Sequence, residues 1–70
     1  MQIRYFEDTD TLLIELSTRP PVETQALNDN VYLDLDEEGR VVSLTIEHAS
    51  LSANVRELFY QRVAAGQTAA

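Results

Sequence analysis

The chain has 70 residues, no cysteine, one histidine and two glycines. That excludes a second core, a disulfide framework, a thiolate or multi-histidine zinc centre and a glycine-rich phosphate loop. Twelve acidic side chains against five basic ones give a net charge of −7, a field that repels phosphate backbones and argues against nucleic-acid binding.

No apolar run reaches membrane-spanning length. The start, Met1 to Asp8, meets acidic residues before any apolar region develops, so no signal peptide and a cytoplasmic location are expected. A compact 7.9 kDa monomer should expose about 4,400 Å², burying only about 60% of its extended surface. Domains this small need a staple. With disulfides and thiolate or histidine-rich zinc centres excluded, self-association is the staple left, and a homodimer is expected.

In chain order, Gln2 to Phe6 is β-prone, with Ile3 and Tyr5 on one face and Arg4 and Phe6 on the other. Glu7 to Thr11 is a polar turn. Leu12 to Ser17 is a second strand, with Leu12, Ile14 and Leu16 on one face and Leu13, Glu15 and Ser17 on the other, so the two strands form a hairpin. Pro20 and Pro21 end that strand, because consecutive prolines cannot occupy a central ladder. Val22 to Ala26 reads as a short polar edge strand, and Leu27 to Asn30 as a turn.

Val31 to Ile46 is the clearest signal, an alternation broken by an acidic turn and resumed, which marks a half-buried hairpin. Val31, Leu33, Leu35, Val42, Leu44 and Ile46 share the inner face. Tyr32, Asp34, Asp36, Val41, Ser43, Thr45 and Glu47 take the outer one. Gly39 supplies the positive φ of the connection.

The last third changes period. Leu51, Val55, Leu58, Phe59 and Arg62/Val63 recur at three and four residues, which predicts an amphipathic helix. Ser52 or Asn54 would cap it, Glu57 would complete a capping box, and Gly66 would end it. Strands first and one helix last predict a single α+β domain over 1–66. It would be an antiparallel sheet of four to five strands in two hairpins, with the helix on one face through Leu51, Val55, Leu58 and Phe59. Residues 67–70 would fray. A ring at Phe59 closing that core would make Phe59→Ala cost about 3–5 kcal/mol.

Phe6, Leu13, Tyr32 and Val41 lie on the opposite sheet face and form a candidate subunit interface. Asp34, Asp36, Glu37 and Glu38 suggest a cation loop, but Gly39 arrives too soon for an EF-hand schedule. Asp34, Asp36 and His48 are weak candidates for a polar site. No nucleophile turn or oxyanion nest accompanies His48, so no catalytic residue, metal or cofactor is assigned. The favoured reading is a non-enzymatic, homo-oligomeric interaction module whose acidic surface engages a protein partner, a basic one being what its charge would attract. A weak metal-binding or hydrolytic protein built on Asp34, Asp36 and His48 is the alternative from another class.

Two segments, Tyr5 to Leu16 and Val31 to Ser50, carry a further signal. Their leucine-rich strand after an aspartate turn, the Leu33-Asp34-Leu35-Asp36-Glu37-Glu38-Gly39-Arg40 hairpin and the Ala49-Ser50 ending resemble a small bacterial family, domain of unknown function twenty-two eighty-three. The likeness covers about residues 2 to 50. Phe6 stands where the family usually has aspartate, and Leu13 where it usually has tyrosine, which makes that face drier here. The resemblance implies a fold and a bacterial setting rather than an activity. Some relatives look like companions of small basic toxin-like proteins, which implies an antitoxin-like neutraliser as another alternative.

Overall fold

A computed structural model describes residues 1–66. It contains five strands: β1 (Gln2–Phe6), β2 (Thr11–Glu15), β3 (Glu23–Ala26), β4 (Val31–Leu35) and β5 (Val41–Ile46). They form one antiparallel sheet in the order β1-β2-β5-β4-β3. The alternating sequence explains the register. Leu33 faces Leu44 and Val31 faces Ile46 across β4–β5, while Leu12 faces Ile46 and Ile14 faces Leu44 across β2–β5. The two expected hairpins are therefore present, and β2 joins them by pairing with β5.

The expected α+β class is overturned. Among the described residues there is no α-helix, only a 3₁₀ turn at Ala49–Leu51, and the domain is all-β. Residues 52–66 instead run as an irregular arm. Ser52 ends the 3₁₀ turn, its N–H donating to the Ala49 carbonyl. The Asn54 side chain accepts from Arg56 N–H at 3.2 Å, an Asx turn where a capping box was expected. Nothing then nucleates a helix: short isolated helices are marginal, and Val55, Phe59 and Tyr60 are weak helix formers.

The expected helix core does not exist. Leu51, Leu58 and Phe59 are exposed, Phe59 at 84%, and only Val55 is half-buried. A 3–5 kcal/mol cost for Phe59→Ala has no packed core to rest on. The expectation for 67–70 lies outside the described residues.

Burial concentrates at the two ends of the sheet rather than at its centre. At one end a β-bulge skips Val42 in the β4–β5 register, and Leu35, Asp36, Val42 and Ser43 are buried there. The β2–β3 connection folds back at that end. Leu16 and Ser17 N–H donate to the Val42 carbonyl at 2.8 and 3.3 Å, and Val22 N–H donates to Leu35 at 2.8 Å. At the other end Ala49 is fully buried. The accessible surface is 5808 Å², against about 4,400 Å² for a compact chain of this mass. Among the described residues the sheet is one layer with no enclosed core. No described helix is long and apolar enough to cross a membrane.

Candidate interaction surface

The register sorts the side chains onto two chemically different faces. Ile3, Tyr5, Leu12, Ile14, Leu44, Ile46, Val31 and Leu33 align on one, an apolar band running across β1, β2, β5 and β4. Every one of them is only half-buried. The arm covers just the β1–β2 part. Val55 and Leu58 stand over Ile3, Tyr5, Leu12 and Ile14 around a cavity of about 250 Å³, and Leu58 and Tyr60 line a neighbouring open hollow with Ile3 and Met1. Among the described residues, the remainder of the band has no second layer. A sheet face of this composition must be covered to stabilise the fold.

The opposite face is polar and already paired with itself. Arg4 bonds Glu15 diagonally across β1–β2. Thr24, Asp34 and Ser43 form one cross-strand row. Thr24 Oγ1 donates to Asp34 Oδ1 at 2.6 Å and Ser43 Oγ to Asp34 Oδ2 at 2.7 Å. Those two hydroxyls, Thr24 first, hold the Asp34 carboxyl below the ordinary carboxylate range. Phe6, Leu13 and Tyr32 lie on this side, with Arg4, Thr45, Ser43 and Asp34 interleaved among them; the bulge instead pairs Val41 with Leu35, on the other face, and brings Val42, expected on the inner face, beside Leu13, Asp34 and Ser43 here. Phe6, Leu13, Tyr32 and Val41 therefore form no continuous apolar patch, and the larger open apolar area is the face that the helix was expected to cover.

The weak polar-site candidates are dispersed. Asp36, only 5% exposed, organises the β4–β5 turn. Its Oδ1 accepts from Arg40 N–H and Glu38 N–H, both at 2.9 Å, and its Oδ2 from Arg19 Nη1 at 3.3 Å. These bonds, the one from Arg40 first, lower its pKa. Gly39, at φ +80°, closes the same turn by donating to the Asp36 carbonyl at 3.0 Å.

His48 lies beyond the far end of the hairpin, in the left-handed region at φ 52°, with Nδ1 3.1 Å from Asn30 Oδ1. Five strand residues, roughly 17 Å, separate the two ends. Asp34 and Asp36 already accept bonds at both oxygens and do not meet His48. Among the described residues no three His, Cys, Asp or Glu side chains converge as a metal would require.

One constellation escaped sequence reasoning. Asp10, in the β1–β2 turn at φ 53°, ties the first hairpin to the end of β5. Its carboxylate accepts from Tyr5 OH at 2.6 Å, from Ser50 Oγ at 2.6 Å and from Ser50 N–H at 3.0 Å. Its backbone carbonyl accepts from Ala49 N–H at 2.9 Å. The Ser50 hydroxyl, then the Tyr5 hydroxyl, pulls the Asp10 pKa down. The same bond to Asp10 pushes the Tyr5 pKa up. Asp10 reads locally as a turn former and Ser50 as a cap. Only their shared presence with Ala49 hints at contact 40 residues apart. The knot fixes where the arm departs, at the β1–β2 end of the apolar band.

No curated protein and no solved structure matches the chain significantly. The profile of the family described as Protein of unknown function (DUF2283) matches residues 2–50. That span runs from the start of β1 through the Ala49-Ser50 knot and stops short of the arm. With most of its length matched, including every strand and both ends of the Asp10 knot, the chain belongs to the DUF2283 family.

Proposed function

We propose that this protein is a non-catalytic, self-associating interaction module: the apolar band pairs with a second copy, and the acidic surface left outside addresses a basic protein partner. The observation that carries the reading is the band itself. Leu33 and Leu44 stand directly opposite each other at its centre, half-buried and without a second layer. Unpartnered apolar sheet faces of this extent mark association surfaces. The polar face supports it from the other side, because its carboxylates at Asp34 and Asp36 are already engaged in holding strands and a turn together.

Light scattering coupled to size-exclusion at micromolar concentration tests the reading. A particle of about twice the chain mass is expected, and a stable monomer overturns it. The charge of −7, with Glu7, Asp8, Glu23, Glu37 and Glu38 exposed, supports a basic hetero-partner, of which an antitoxin-like neutraliser is the sharpest form. Co-expression with the neighbouring gene's product is expected to give a complex that weakens with salt. No complex at low salt removes that part.

A further inference from the structure

Four features of the arm point the same way. Its residues Leu58, Phe59 and Tyr60 are exposed by 71, 84 and 67%, an aromatic and aliphatic run that its own sheet covers only in part. Among the described residues, the only backbone hydrogen bond made within the arm beyond Ala53 is a long 3.5 Å contact from Glu57 to Asn54, and none joins the arm to a strand. Its charge is opposite in sign to the rest. Residues 52–66 hold two arginines, Arg56 and Arg62, and one glutamate, whereas the other residues hold three arginines and eleven acids. Finally, the Asp10–Ser50 knot delivers it to the apolar side of the sheet, over the β1–β2 half alone.

We infer that the occupant of the open β4–β5 half of the apolar band is the arm of a second copy, in a two-fold dimer where each arm lies between the two sheets. The inference rests on the self-association reading above and specifies its geometry. A two-fold contact needs a patch that meets a different patch on the partner and is met by it in return. Each chain offers such a pair, an arm-covered half and an uncovered half. Stacking two bare acidic bodies would set like charges together; inserting Arg56 and Arg62 between them lowers that repulsion.

The areas agree as well. Each chain exposes about 1,400 Å² more than a compact monomer of its mass, and a standard interface takes about 800 Å² from each partner. Reach is sufficient: the nine residues from 58 to 66 extend up to about 30 Å, whereas five strands span roughly 19 Å.

The test uses full-length chain. Leu58→Asp combined with Phe59→Asp replaces side chains that are exposed in the single chain. The variant should keep its sheet, as read by far-ultraviolet circular dichroism, while dimerisation weakens by at least about thirtyfold. A second measurement does not depend on that variant. The chain has no cysteine, so Gln61→Cys accepts a single spin label. Mixed equally with unlabelled-cysteine-free chain carrying ¹⁵N, it should broaden the Leu33 and Leu44 amides of the other copy. A wild-type dimer that survives the double substitution, or broadening absent from the other copy, overturns the arm geometry and leaves self-association standing. A wild-type monomer overturns both.

Discussion

At the scale of single residues, this small sheet is tied by carboxylates that accept several bonds each. Ser50 supplies Asp10 with both a hydroxyl and a backbone donor, so Ser50→Ala should cost about 0.5–1.5 kcal/mol, measured by urea unfolding. Ala49 has no room around it, so Ala49→Leu should cost about 1–3 kcal/mol through overpacking.

The pH dependence follows from the directions of shift. Asp10, Asp34 and Asp36 titrate below their ordinary range when folded. Their contribution is therefore complete above about pH 4, the unfolded value, and is lost as pH falls through the folded values. Tyr5 is raised, so its contribution holds below about pH 10 and is lost as pH rises through the folded value. The urea midpoint should be level from about pH 5 to 9 and decline at both extremes. Asp34→Asn should shrink the acid decline, and an acid limb unchanged in that variant contradicts the role given to Asp34.

At the scale of elements, turns and strands follow local chemistry, while the arm does not follow its periodicity. Gly39 has nothing within 4 Å of where a Cβ would sit, and its φ is +80°. Gly39→Ala therefore meets no clash, and its cost of about 1–2 kcal/mol should be conformational alone. The apolar spacing of Leu51, Val55, Leu58 and Phe59 has the period of a helix, yet the segment lacks a nucleus. In dilute solution, where the chain is monomeric, Phe59→Ala should change stability by less than about 0.5 kcal/mol. A loss of several kcal/mol there would show that the ring is packed within its own chain.

At the scale of the whole molecule, the governing fact is a single layer. Burial is confined to the bulged hairpin end and to Ala49, and the centre of the apolar band stays half-open. Stability should then depend on protein concentration, because binding a second copy favours the folded state by mass action. The melting temperature is expected to rise over a hundredfold increase in concentration. A concentration-independent melt would contradict the reading.

The sequence alone determined the strands and both hairpins. Alternation with a period of two, set off by Pro20-Pro21, Asn28 and Gly39, is a local signal, and neighbouring residues suffice to write it. It also placed Leu33 and Leu44 on one face and Asp34 and Ser43 on the other. Only the tertiary structure decided that β2 pairs with β5, that Asp10 reaches Ser50, and that Asp36 organises a turn rather than joining His48. Those contacts join residues far apart in the chain, and no local pattern encodes them. The fate of the last third was also decided there: helical spacing states which side chains would share a face, but a helix also needs a nucleus, and residues 52–66, which form an Asx turn at Asn54 instead, supply none.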